Sequence, residues 1–171
     1  MIRNFFIMNS NGLVLYSDEY VNSFKVDLMS GFISAIYSFM NQTIFTNELD
    51  FIEVGGLRFV FDIHEIGENH SDLIFVILCD RTENQAYIKP KLDELKWKFL
   101  ELYYAKIKSW TTGDRDLFDG FQPIEQEIIN RRSIILDANT ETILLKNFQK
   151  MYQVSGFIIG AALLTQTGHV L

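Results

Sequence analysis

Between Leu73 and Cys79 the chain reads Leu-Ile-Phe-Val-Ile-Leu-Cys, with no polar side chain to interrupt it. A strand with one wet face alternates apolar and polar residues, so an unbroken apolar run marks a strand buried on both faces and therefore central in its sheet. The strand pattern ahead of it supplies its neighbours. Phe5–Met8 and Leu13–Tyr16 flank Asn9-Ser10-Asn11-Gly12, and Asn-Gly between two apolar runs is a strong hairpin signal. Leu49–Val54 and Leu57–Ile63 flank Gly55-Gly56, a second hairpin whose turn needs residues free to take positive φ. In its second strand Leu57, Phe59, Phe61 and Ile63 share one face, with Arg58, Asp62 and His64 on the other. Gly67–Ser71 reads as a polar turn. A central strand that comes last among the strands requires helices on both faces of the sheet.

The first of those helices is Asp27–Thr43, with Asp27 as its expected N-cap. Leu28, Phe32, Ala35, Ile36 and Phe39 recur at i, i+4, i+7, i+8 and i+11 and are expected to face the core. Met29, Ile33, Tyr37 and Met40 fall beside that stripe and, at about 100° per residue, widen the apolar arc to about 200°, twice what one core contact needs. Ser30, Gly31, Ser34 and Ser38 fill the rest, and no charged side chain occurs from Leu28 through Asn47. Such a helix is covered on more than one side. Either its own domain covers it, or Met29, Ser30, Ile33, Ser34, Tyr37, Ser38 and Met40 form a partner interface, with the small residues drawing a helix of another chain close. A membrane span needs about 20 apolar residues, which this run lacks.

A second helix lies between Asn84 and Trp110, with Ile88, Leu92, Leu95, Phe99 and Leu102 as its core stripe and Pro90 expected in its first turn. Six lysines against three acids give it a net charge of +3 and leave −10 for the rest of the chain. Trp97 and Tyr104 project roughly opposite the stripe, so the segment reads as a packed helix with snorkelling lysines or as a basic aromatic surface patch. A third helical segment runs from about Asp114, or from Gln122 if Pro123 breaks it, after a turn at Thr111-Thr112-Gly113. Its apolar side, Phe118, Phe121, Ile124 and Ile128, is expected to cover Trp97 and Tyr104. Farther on, Asn139 is placed to cap a helix through Thr140–Tyr152, and Phe157–Thr165 reads as a strand. The stretch from Leu163 to Leu171 repeats the pattern of Ile7–Leu15 in register, an apolar pair, three polar residues, glycine and a final apolar pair one residue on, as if a second related domain were starting.

Composition narrows the function classes. The chain has 171 residues, 48% of them hydrophobic, with fifteen Phe and two Pro, which describes a globular protein with a substantial core. A net charge of −7 and a pI near 4.9 argue against nucleic acid as the main partner, since phosphate binding accumulates Lys and Arg. Cys79 is the only cysteine, so no intrachain disulfide or multi-thiolate metal site can form, and a reducing, cytoplasmic setting fits. The opening MIRNFFIM reads as the first strand rather than a signal peptide. No glycine precedes Lys-Ser or Lys-Thr, so the chain carries no phosphate-cradling loop and is not itself a GTPase. His64, His70 and His169 are scattered without ligand spacing, which makes a metal site improbable, and nucleophile elbows are absent. Arg131-Arg132 at a helix end reads as compensation of the helix dipole, with an arginine supplied to a GTPase as the other reading.

The order strand, strand, helix, three strands, helix, helix, together with MIRNFFIMNSNGLVLYS, resembles the longin domain. The stretch Asp27-Leu28-Met29-Ser30-Gly31-Phe32-Ile33-Ser34-Ala35-Ile36-Tyr37-Ser38-Phe39 is similar to a motif of archaeal longin-like proteins, relatives of the vesicle-trafficking longins. The resemblance covers about residues 1–130. It implies an α/β (α+β) fold of order ββαβββαα, a five-stranded antiparallel sheet with one helix on one face and two on the other. Residues 1–133 would form the longin-like domain. Residues 134–171 look like the linker, helix and first strands of a roadblock-like domain, a circularly permuted relative, cut short. The resemblance also implies a non-enzymatic role without a cofactor, as a homo- or heterodimeric platform that binds or regulates a small Ras-like GTPase or a partner longin or roadblock subunit. It singles out no GTPase. The residues keep a second class open, a peripheral membrane or adaptor-coat component using the lysine-bearing helix 84–110.

Overall fold

The apolar run forms most of strand β5, Leu73–Asp80, and β5 occupies the middle of a five-stranded sheet. A computed structural model describes residues 1–21, 25–43, 49–67, 71–110, 116–131 and 138–154. The chain divides into two compact units, Met1–Arg131 and Arg132–Leu171. In the first, β1 (Ile2–Asn9), β2 (Val14–Glu19), β3 (Phe51–Val54) and β4 (Leu57–His64) join β5 in the order β2-β1-β5-β4-β3, every pair antiparallel. Val76 sits opposite Phe6 on one side and Phe61 on the other, so β5 is the strand that turns two hairpins into one sheet. The glycines at both turns have positive φ, 88° at Gly12 and 57° and 88° at Gly55 and Gly56.

Helices cover both faces, as a central β5 demands. On one face Phe6, Met8, Val14, Phe59, Phe61, Ile74, Val76 and Leu78 pack against helix α1, Val26–Thr43. On the other, Phe5, Ile7, Tyr16, Val60, Phe75, Ile77 and Cys79 pack against α2 (Gln85–Ser109), a 3-10 turn (Asp116–Phe121) and α3 (Gln122–Asn130). A bulge between Ile7 and Met8 lets Val14 join the first core while Leu15 and Tyr16 join the second. The expected one-helix and two-helix faces are both present.

Two helix starts differ from the sequence reading. Helix α1 begins at Val26, so Asp27 lies in its first turn rather than at the cap. In α2, Asn84 is the N-cap, its Oδ1 accepting the Ala86 N–H at 3.0 Å, which places Pro90 in the second turn. Pro90 removes the bond to the carbonyl four residues back, that of Ala86; Ala86 is exposed, so water can satisfy that group. Pro123 falls in the first turn of α3, and the regular helix starts at Gln122 as expected. In the second unit helix α4 spans Ala138–Val154, and Asn139 is inside its first turn. The strand expected at Phe157–Thr165, the repeat at Leu163–Leu171, the turn at Thr111–Gly113, His70, Arg132 and His169 lie outside the described residues.

Candidate partner-binding surface

Helix α1 is turned the opposite way from the expectation that Leu28, Phe32 and Phe39 face the core. Val26, Ser30, Ile33 and Tyr37 are its buried residues, Ile33 being only 1% exposed, whereas Leu28 is 70%, Phe32 46% and Phe39 59% exposed. Of the seven residues expected to meet a partner, Ser30, Ile33 and Tyr37 are buried against their own sheet and Met29, Ser34 and Met40 are half-buried, leaving Ser38 exposed. The polar atoms explain the choice of face. Tyr37 Oη donates to Asp72 Oδ2 at 2.7 Å, and Ser34 Oγ donates to the Ser10 carbonyl at 2.6 Å, tying the helix to the loops at one end of the sheet. Burial, reinforced by Asp72, pushes the Tyr37 phenol up to about 12. The small residues do allow a close approach, but the neighbour is the β1–β2 turn. A Cβ added at Gly12 would stand 3.4 Å from Ser34 Cβ and 3.5 Å from the Ser30 carbonyl oxygen.

The outward face of α1 therefore carries Leu28, Phe32, Ala35 and Phe39 at i, i+4, i+7 and i+11, a line of about 16 Å along one side of the helix. No charged side chain accompanies it from Leu28 to Thr43. At the sheet's edge, β3 pairs with β4 alone among the described strands and exposes Phe51 and Val54, with the Arg58 guanidinium 5.7 Å from the Phe51 ring centroid.

The expected cover for Trp97 and Tyr104 is not where the sequence put it. Both remain exposed, Trp97 at 56%. Phe118 and Phe121 pack instead on Phe99, at 5.4 and 5.1 Å between ring centroids, and on Tyr103 and Tyr16. The 3-10 turn follows the sheet-facing side of α2, the side that presents Phe99 and Tyr103, and leaves the outer side open. Lys96 sits 5.0 Å over the Trp97 ring and Lys108 4.6 Å over that of Tyr104. Most of the lysines of α2 are committed within the chain: Lys89 to Asp50, Lys96 to Asp62 and Asp93, Lys98 to Glu101, and Lys91 to the carbonyls of Ile128, Ile129 and Arg131. Arg131 binds the carboxylates of Glu94 at 2.8 Å and Glu127 at 3.2 Å, while the carbonyls at the end of α3 are met by Lys91 rather than by an arginine side chain. Leu102, assigned to the core stripe, is exposed, while Leu100 is buried.

His64 stands edge-on to Trp97 at 5.9 Å, and burial followed by Lys96 lowers its pKa. Cys79 is buried in β5, and burial raises its thiol to about 11, the behaviour of a packing residue rather than a nucleophile. Among the described residues no cluster of His, Cys, Asp or Glu could hold a metal ion, and no helix is long and apolar enough to cross a membrane. Sequence reasoning passed over Glu125, which is fully buried. Its signal was the spacing Phe118, Phe121, Glu125, Ile128, a carboxyl set into an apolar stripe at 3-4-3 intervals.

No protein-family model matches the chain, and none of the curated proteins is a match in sequence. Its structure is similar to that of Myxococcus xanthus MglB, with a TM-score of 0.51 and 12% identity over 66% of this chain and 83% of that one. It is also similar to a roadblock/LC7 domain from Streptomyces avermitilis (TM-score 0.46, 15% identity, 61% of this chain and 86% of that one). The mammalian SRP receptor is a further neighbour (TM-score 0.40, 18% identity, 75% and 91%). With two hairpins closed by a central fifth strand, one helix on one face and two on the other, the chain has the longin/roadblock fold.

Proposed function

We propose that this chain is a non-enzymatic interaction scaffold in which the outward face of α1 docks a second copy of the same fold, and that the resulting platform binds or regulates a small Ras-like GTPase. The observation that carries the reading is the uncovered line of Leu28, Phe32, Ala35 and Phe39 on a helix without a charge from Leu28 to Thr43. In a twofold contact each residue meets its own surface, so a charged face would set like against like, a real cost for a chain of net charge −7. The α1 face avoids that cost. Covering the exposed parts of Leu28, Phe32 and Phe39 would contribute on the order of 3–5 kcal/mol per subunit. The GTPase part rests on the resemblance of the sequence to longins and on the shared fold.

Sedimentation equilibrium of the parent and of Phe32→Glu tests the docking, with circular dichroism to verify that the variant is folded. The parent should dimerise and the variant should sediment as a monomer. Nucleotide release and hydrolysis by purified small Ras-like GTPases, with and without the chain, test the second part. A parent that stays monomeric at high micromolar concentration and changes no GTPase rate would refute the reading. One observation favours a peripheral-membrane role instead, the exposed Trp97 and Tyr104 beside Lys98 and Lys108. Co-sedimentation with anionic vesicles that is lost in Trp97→Ala would support it, although Lys98 is already paired with Glu101.

A further inference from the structure

The first turns of α3 bring a carboxyl into the core. Phe118, Phe121, Glu125 and Ile128 form one buried line against the sheet, and Glu125 is as fully buried as the two phenylalanines. Two strand residues meet it. Tyr16 Oη on β2 donates to Glu125 Oε2 at 3.2 Å, while Oε1 has no hydrogen-bond partner among the described residues. Asp18, two residues along β2, brings a second carboxyl to the same side of α3 and raises that of Glu125. Asp18 Oδ2 also accepts the side-chain amides of Gln122 at 3.4 Å and Gln126 at 3.2 Å, one turn apart on α3. Two carboxyls therefore face each other. Asp18 has neutral donors and partial access to water, which suit a charge, whereas Glu125 has one hydroxyl and an orphan oxygen, which do not. A proton on Glu125 removes the charge that this buried site cannot solvate.

Among the described residues, the other groups around this pair do not supply a compensating charge. The 3-10 turn contributes Asp119, which acts on Tyr16 and Tyr103. From α2 come Phe99 and Tyr103, and from β1 Phe5, all through ring contacts with Tyr16 or Phe121. Of the described cations, Lys91 and Arg131 bind at the far end of α3, on the carbonyls of Ile128, Ile129 and Arg131 and on Glu94 and Glu127.

We propose that α3 is latched to β2 by a proton held on the buried Glu125 carboxyl beside Asp18, and that rising pH, by removing that proton, releases the helix from the sheet. Burial and the neighbouring Asp18 push the Glu125 carboxyl up to about 8, from an ordinary value of 4.5. The sign follows. Below the ordinary value both the seated and the released forms carry the proton, and pH has no effect. Between that value and about 8 only the seated form keeps it, so each pH unit favours release by up to tenfold. Above that range the seated helix holds a bare carboxylate against Asp18, and the full penalty is present. Tyr16 stays protonated throughout, since burial and both carboxylates hold it well above its usual value.

Hydrogen exchange of the full chain between about pH 6 and about pH 9.5, corrected for the base catalysis of exchange itself, tests the latch. Amides of Ile124–Asn130 should lose protection relative to those of β5 by up to tenfold per pH unit, levelling off above about 8. Glu125→Gln, a neutral side chain of the same size, should keep α3 protected at a level independent of pH. The Glu125 carboxyl carbon, followed by NMR, should titrate far above the ordinary carboxylate range. Protection of α3 that is flat in the parent, a Glu125→Gln profile that follows the parent, or a carboxyl titrating in the ordinary range would each overturn the proposal. Should Glu125→Gln fail to fold, Asp18→Asn decides: it removes the like charge and should weaken the pH dependence, and an undiminished dependence overturns the latch.

Discussion

Neighbouring residues on α1 give the sharpest test of how that helix is seated, because Ile33 is 1% exposed and Phe32 is 46% exposed. Replacing Ile33 by serine removes a fully buried side chain that packs with Phe6, Phe61 and Val76 in the core cluster of that face. Truncating a buried isoleucine costs about 2–5 kcal/mol. The new hydroxyl adds little further, because in a helix it can bond to the carbonyl one turn back. Taking about 3–4 kcal/mol, and about 4 °C per kcal/mol for a unit of this size, the melting temperature should fall by roughly 12–16 °C. Phe32→Ser exchanges one residue of middling helix propensity for another at a position about half exposed, so its cost in the isolated subunit should be about 1 kcal/mol. Thermal melts followed by circular dichroism at low protein concentration, where association adds nothing to stability, measure both. If Phe32→Ser proved the more damaging, α1 would be seated on the face that carries Leu28, Phe32 and Phe39, and the account of its buried side would fail.

Other outcomes follow from the packing of α2 and β5. Trp97→Ala should leave the melting temperature nearly unchanged, whereas Phe99→Ala, which removes the ring on which Tyr16, Phe75, Tyr103, Phe118 and Phe121 converge, should cost about 3–5 kcal/mol by denaturant titration. Lys91→Met keeps much of the apolar stem but strips three carbonyls at the end of α3 of a shared cation; a loss of about 1–2 kcal/mol is expected, with faster exchange confined to Gln126–Arg131. The Cys79 thiol should resist an aromatic disulfide reagent in the native state and react at once in denaturant, and rapid native labelling would contradict its place in β5.

Much of the sheet was legible because its signals are local. Seven apolar residues from Leu73 to Cys79 have no wet face to offer, and Gly12, Gly55 and Gly56 sit where turns need positive φ. The seating of α1 was not legible, and the reason is symmetry. Its apolar arc is wide enough that Leu28, Phe32 and Phe39 compete on equal terms with Met29, Ile33 and Tyr37, so periodicity cannot choose between them. The choice is made by partners distant in sequence, Asp72 for the Tyr37 hydroxyl and Ser10 for Ser34, which no window of residues around the helix contains. For the same reason serines at 30 and 34 read as room for a foreign helix when the occupant is the chain's own β1–β2 turn. Trp97 and Tyr104 failed differently. Large aromatics invite a cover, and the aromatic segment that follows was assigned to them, but Phe118 and Phe121 found more to gain on Phe99 and Tyr103 beside the sheet.

The position of β5 also has a consequence for synthesis. Strand β1 can pair with β2 almost as soon as both are made, but its other edge is completed only by β5, with Ile7 waiting for Phe75 and Phe6 for Val76. At roughly 5–20 residues per second, several seconds separate the appearance of the two strands. Throughout that interval the nascent chain carries Phe5, Phe6, Ile7 and Met8 as a hydrophobic strand with one edge open, and β3 and β4 wait as a detached hairpin. Arrival of Leu73–Asp80 then joins both halves in one step, so the sheet should be made cooperatively and late, and a chain released before Asp80 should be a client for chaperones rather than a partly folded domain.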